Sequence, residues 1–236
     1  MLTAKESFSL IDEYLPKLDI QIKEKLFLYY SLIEEENQKI NLTGFFGEKL
    51  LKEGIIESIL IFNNINEKIL DLANKNVLDI GSGAGFPIIP YFIFNPSFNL
   101  TIYEPIQKRV NFLNLVANKL DLKNISVKKI RAEDSNENEK FDFISAKAVS
   151  ELKNLVEISH HLAKINGTFC FLKSKSYQNE LNNAIDISNK LKIEFKILNL
   201  DKFFNIQNVL IHYKKSIKTP NSYPRKWSQI IKNDLK

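Results

Sequence analysis

Gly81, Gly83 and Gly85 alternate through the stretch NVLDIGSGAGFPIIP, residues 76–90, directly after the apolar run Val77-Leu78-Asp79-Ile80. Glycines at that density let a backbone take positive φ and admit a ligand where a Cβ would stand. A helix after the turn would aim free N–H groups at the same ligand. A second carboxylate, Glu104, closes the run NLTIYE 23 residues beyond Gly81, where it can accept hydrogen bonds from both hydroxyls of a ribose. Ala132 and Glu133 close a third run, SVKKIRAED. In the dinucleotide fingerprint Gly-x-Gly-x-x-Gly the third glycine sits where this chain has Phe86, so the spacing suits a ligand without a pyrophosphate.

Such groups work only if strand ends hold them side by side. From residue 76 short β-rich runs alternate with helical ones: strand 76–80, helix 85–94, strand 99–103, helix 106–120, strands 125–130 and 141–146, helix 151–164, strand 167–172, helix 176–190, strands 192–199 and 207–213. This alternation predicts an α/β, Rossmann-like fold, a mixed seven-stranded sheet covered by helices, with ligands at the carboxyl ends of its strands. The last two strands have no helix-length link and are expected to pair as an antiparallel hairpin. Before them, residues 1–72 read as a helical extension, because Ile22, Leu26, Tyr29, Tyr30 and Ile33 follow one helix face and EKLLKEGIIESILIF repeats the pattern. The expected organisation is thus an extension over 1–72, a ligand-binding domain over 73–215 and a basic tail over 216–236. A glycine turn, a ribose acid and a small-acidic pair at three successive strand ends together describe a pocket for S-adenosylmethionine.

Composition removes several classes. No apolar run reaches the ~20 residues of a membrane span, and the first residues lack the apolar core of a secretory signal, so a cytoplasmic protein is expected. Cys170 is the one cysteine, which excludes a disulfide and a cysteine zinc site, and it reads as a core residue. His160, His161 and His212 have no metal spacing; a solvated helix pair and a strand surface residue explain them, and no metal is expected. The net charge of +5 is concentrated in residues 214–236, which carry a local +6. A positive tail of this kind can steer an anionic partner.

Taken in order, NLTG, VLDIGSGAGFPIIP, KRVNFL, RAED, FDFISAKAVSEL, FLKSKS and YPRK resemble the ribosomal small-subunit RNA guanine-N7 methyltransferase family, also called glucose-inhibited division protein B. The resemblance runs from residue 41 to about 226. It implies methyl transfer from S-adenosylmethionine to N7 of a guanine in 16S ribosomal RNA, with the RNA or the small subunit as partner; separately from the resemblance, a monomer is expected. It carries cofactor contacts over to Gly81, Phe86, Ala132, Glu133 and Lys147, with Gly83 and Gly85 in the same turn and Glu104 in the ribose role. Lys147 and Gln207 stand where the family has arginine, and Gly54 where it has histidine. Lys173, at the end of TFCFLK, is the candidate catalytic cation, placed to donate to the guanine edge or a phosphate. For RNA, NSYPRKW interleaves aromatics with cations, which makes Tyr223, Arg225 and Lys226 the candidate contacts. The alternatives are a methyltransferase for a small molecule or protein, and an inactive RNA-binding module of the same fold.

Overall fold

A computed structural model describes residues 1–174, 177–204 and 207–232. Lys175, Ser176, Asp234 and Lys236, which belong to the FLKSKS stretch, the 176–190 helix and the tail charge count, lie outside the described residues.

Local signals set the helical start of the chain. Helix α1 (Ala4–Tyr14) opens on a capping box, in which the Thr3 hydroxyl accepts from the Glu6 amide and the Glu6 carboxylate accepts from the Thr3 amide. Helix α2 (Ile20–Asn37) is capped by Asp19, whose carboxylate accepts from the Gln21 amide at 2.7 Å, and it buries Leu26, Tyr29, Tyr30 and Ile33 as its periodicity predicts. A one-turn α3 (Gly47–Lys49) runs into a π-helical stretch, Leu50–Ile56, and then α4 (Glu57–Lys68). These helices do not form a core of their own: Ile11, Tyr29, Leu50, Ile55 and Phe62 join Val77, Leu100, Ile102 and Phe143 of the sheet in one apolar cluster.

Seven strands make that sheet: β1 (Asn76–Ile80), β2 (Asn99–Tyr103), β3 (Ile125–Lys128), β4 (Phe141–Lys147), β5 (Ala163–Lys173), β6 (Lys196–Asn199) and β7 (Val209–Lys214), in the order β3-β2-β1-β4-β5-β7-β6. The first five are parallel, and β7 runs antiparallel between β5 and β6, so the expected hairpin forms. The intervening helices are α5 (Ile88–Phe94), α6 (Gln107–Lys119), α7 (Leu152–Ser159), α8 (Tyr177–Asn183) and α9 (Ile185–Leu191), and a short α10 (Trp227–Ile230) closes the tail. On the face opposite the N-terminal helices, Phe141, Ile144, Leu155, Phe169, Phe171, Ile211 and Tyr213 form a second cluster.

Several expectations shift, among them strand β6, which starts at Lys196 rather than 192, and β3, which ends at Lys128 rather than 130. Helix α5 starts at Ile88 rather than 85, because the turn continues through Pro87. The 151–164 helix stops at Ser159, and the chain passes through one 3-10 turn, His160–Leu162, into a strand four residues longer at its start than expected. His160 and His161 are consequently buried, not solvated: His160 stacks on Phe169 and meets the Thr219 hydroxyl at 2.7 Å, and His161 meets the Ser135 carbonyl at 3.1 Å. The 176–190 helix is two helices, reoriented at Ala184 so that Ala184, Ile187 and Leu191 enter the second cluster. Cys170 is buried in β5, as read.

Candidate active site

Strand β1 delivers Asp79 and then the glycine turn. Gly81 has φ +70°, and a Cβ there would stand 2.6 Å from Val149 Cγ2; Gly85 has φ +108°, and a Cβ would meet Tyr29 Oη and Ile89 at 2.7 Å. Left-handed backbone and absent space both select glycine at these two positions. The turn is gripped from two sides: the Tyr29 hydroxyl of α2 donates to the Ala84 carbonyl at 2.7 Å, and the Gly83 amide donates to Glu104 Oε2 at 3.1 Å. Beneath it, the Ser145 hydroxyl donates to Asp79 Oδ1 at 2.6 Å and the Ser82 hydroxyl to Oδ2. Burial outweighs these donors and pushes the Asp79 carboxyl up to about 7.

Glu104 ends β2 fully buried, its Oε1 accepting from the Ile106 amide at 3.0 Å. Backbone donors thus aim the carboxylate without using all of its lone pairs. Beyond β3, a 3-10 turn, Ala132–Asp134, presents Ala132 and Glu133. Glu133 Oε1 is buried without a hydrogen-bond partner, its nearest counter-charge being Arg131 Nη1 at 3.8 Å, and burial raises the carboxyl above its ordinary value. Gly81, Glu104, Ala132 and Glu133 line one cavity of about 240 Å³, walled by Tyr103, Ile106, Ile130, Val149 and Trp227. Two carboxylates with apolar surface between them fit a planar base and a ribose, and a buried acceptor without a hydrogen bond has capacity for a donor from a ligand.

A second cavity of about 410 Å³ adjoins the first, sharing Ala148 and Val149, and is lined by Lys147, Lys173, Glu180 and Asn208 among others. Lys147 lines this second cavity and not the first. Its ammonium lies 3.7 Å from the buried Glu57 of α4, which also accepts from Asn208 at 2.8 Å. Burial lowers the Lys147 ammonium and raises the Glu57 carboxyl, with their mutual attraction opposing both shifts. Phe86 turns away from the first cavity toward the N-terminal helices, packing edge-on against Tyr29 and over Gly54, where a Cβ would stand 2.9 Å from its ring. Gln207 donates to the Leu200 carbonyl.

Lys173 is buried, donating to the Ser150 carbonyl at 2.8 Å and paired with Glu180 at 2.6 Å. The tail is equally committed. Arg225 grips the buried Glu157 of α7 with Nε at 2.7 Å and Nη2 at 2.8 Å, Tyr223 packs against the second cluster, and Lys226 is exposed. Arg225 and Tyr223 thus have partners within the fold: an unpaired Glu157 would be costly, so the guanidinium is held there, and Tyr223 is half-buried. Sequence reading missed Trp227 as a cavity wall, 6.0 Å from the Arg131 guanidinium, along with Tyr29, Glu57 and Asn208. Of these only the tail aromatics carried any local signal.

The profile of the family described as "rRNA small subunit methyltransferase G" matches residues 22–202. The chain belongs to that family. It is 39% identical to Ribosomal RNA small subunit methyltransferase G of Mycoplasmopsis pulmonis, covering 90% of this chain and 92% of the relative. The protein of that name from Mycoplasma mobile is 47% identical over 75% of this chain and 77% of its own. Among solved structures, the chain is similar to the tRNA (m1A58) methyltransferase TrmI of Aquifex aeolicus, with TM-score 0.53, 16% identity and 69% of each chain covered. It is also similar to M. jannaschii TYW2 in complex with AdoMet, with TM-score 0.52, 14% identity, and 67% of this chain and 76% of that one covered. The fold is the Rossmann-like one of S-adenosylmethionine-dependent methyltransferases. Among the described residues no helix is long and apolar enough to cross a membrane.

Proposed function

We propose that this protein transfers a methyl group from S-adenosylmethionine to N7 of a guanine in 16S ribosomal RNA. The observation that carries the reading is the cavity lined by Gly81, Glu104, Ala132 and Glu133, whose buried Oε1 makes no hydrogen bond, in a chain whose relatives bear a ribosomal RNA methyltransferase name. When bound, S-adenosylmethionine supplies an electrophilic methyl on a sulfonium sulfur, which leaves as a neutral thioether while the guanine N7 lone pair forms the new bond and the ring takes the positive charge. N7 carries no proton, so the chain needs no general base. Its work is orientation.

In this reading Glu104 receives the ribose hydroxyls and Glu133 accepts from the adenine amino group. Gly81 borders the cofactor, Gly83 and Gly85 shape the turn behind it, and Ala132 closes the base wall. Phe86 acts by packing rather than contact, and Lys147 borders the neighbouring cavity, where the target base enters. Lys226 keeps a proposed role on RNA, whereas Tyr223 and Arg225 hold the tail to the fold. The proposed organisation keeps a helical extension over 1–72, a methyl-transfer unit over 73–215 and a basic tail over 216–236, acting in the cytoplasm on the RNA or the small subunit.

N7-methylguanine is cationic and becomes open to aniline cleavage after borohydride reduction. Small-subunit RNA from a strain lacking the gene is expected to miss one cleavage that parental RNA shows, and purified protein with labelled cofactor is expected to restore it. Identical cleavage maps would overturn the guanine-N7 assignment.

A further inference from the structure

The two cavities are divided by one short segment, residues 148–151, which follows β4. Ala148 there has φ +55°, a left-handed backbone that a residue with a Cβ resists, and Val149 leans over Gly81. A strained segment keeps its shape only if neighbours hold it. Asn154 donates to the Ser150 hydroxyl at 2.9 Å and Lys153 pairs with Glu151 at 3.6 Å, but the holding groups that reach the backbone are Lys173 and Glu180. Lys173 Nζ donates to the Ser150 carbonyl at 2.8 Å and pairs with Glu180 Oε2 at 2.6 Å, while the same Oε2 accepts from the Leu152 amide at 2.8 Å. One acid–base pair therefore ties the segment to the end of β5, to α8 and to the first turn of α7 at once. Lys173 is 8% exposed, and its two bonds are short and charge-assisted.

We infer that Lys173 and Glu180 are positioning residues that clasp the 148–151 segment, rather than contacts to the RNA base. The inference rests on the proposed methyl transfer between the two cavities. The segment sets how far the methyl donor on one side stands from the nucleophile on the other, and a displacement near 1 Å costs up to ~100-fold in rate. Losing either partner frees the same segment, so the two losses are not additive.

The test uses the full chain as wild type, Lys173→Met, Glu180→Gln and the double variant. Turnover and KM with small-subunit RNA, RNA affinity by filter binding, and amide exchange of residues 148–152 without cofactor are measured well below each melting temperature. The clasp predicts a fall in kcat of roughly 10- to 100-fold in each single variant and no further fall in the double, with RNA affinity unchanged and faster exchange in all three. Weaker RNA binding in Lys173→Met alone would mark a direct contact and overturn the clasp. Additive losses, or a lowered melting temperature with kcat intact, would overturn it too. Should Lys173→Met not fold, Glu180→Gln decides, since its amide oxygen still accepts from Leu152 while the ion pair is gone. If wild type shows no transfer to RNA, the proposed function fails instead, and exchange alone judges the clasp: unchanged exchange in the variants rejects it.

Discussion

Two buried carboxylates face opposite tasks. Glu104 is aimed by the amides of Gly83 and Ile106, and its remaining acceptor capacity opens on the first cavity. Glu104→Ala is expected to weaken S-adenosylmethionine binding by ~1.5 to 3 kcal/mol, the range for hydrogen bonds to a charged group. Titration calorimetry measures this, and an unchanged Kd removes Glu104 from the site. Asp79 instead serves the floor of the turn. Burial raises its carboxyl from 3.8 to about 7, so over that interval the folded chain holds a proton that the unfolded chain has released. The stability linked to protonated Asp79 is complete below 3.8 and is lost as pH rises through about 7. Asp79→Asn cannot ionise. Its melting temperature relative to wild type should therefore climb between about pH 4 and pH 7 and then level off, and a flat difference across that window would count against this assignment.

At the scale of elements, the glycine turn is a junction between α2 and the sheet. Tyr29 is reached because α2 packs its apolar face against α5, the helix that follows the turn, and its hydroxyl then meets a carbonyl 55 residues away. Tyr29→Phe keeps the ring packing against Phe86 but leaves the Ala84 carbonyl without its donor. A loss of ~1 to 3 kcal/mol in denaturant melts is expected, with weaker cofactor binding alongside. Intact cofactor affinity in a destabilised variant would confine Tyr29 to the core. The π-helical stretch serves the same junction, since Gly54 in it gives Phe86 its seat.

For the whole molecule, the tail is a strap. Arg225 and Glu157 join it to α7, and Trp227 reaches the first cavity from there. Arg225→Ala strands a buried carboxylate and should cost ~3 to 5 kcal/mol, read by thermal or denaturant unfolding. Deleting residues 216–236 should lower stability and cofactor affinity together, and it should flatten the salt dependence of RNA binding as far as the tail lysines, Lys218, Lys226, Lys232 and Lys236, touch phosphates. Full cofactor affinity after truncation would dismiss Trp227 as a wall.

Strand runs, their alternation with helices, the terminal hairpin and the three strand-end motifs were legible in the sequence, because each depends on residues adjacent or periodic along the chain. Gly81, Glu104, Ala132 and Glu133 meet in one cavity for that reason: parallel neighbouring strands bring their ends together wherever they occur. Side-chain commitments were decided only by tertiary structure. Arg225 and Tyr223 had the composition of an RNA contact, and Lys173 that of a free cation at a strand end. Their partners, Glu157 68 residues away and the Ser150 carbonyl 23 away, leave no local signature. His160 and His161 followed a helical period until the chain turned early into β5 and buried them. A charge is read from sequence as available, but a folded chain supplies counter-charges from distant segments, and burial makes those pairings costly to break.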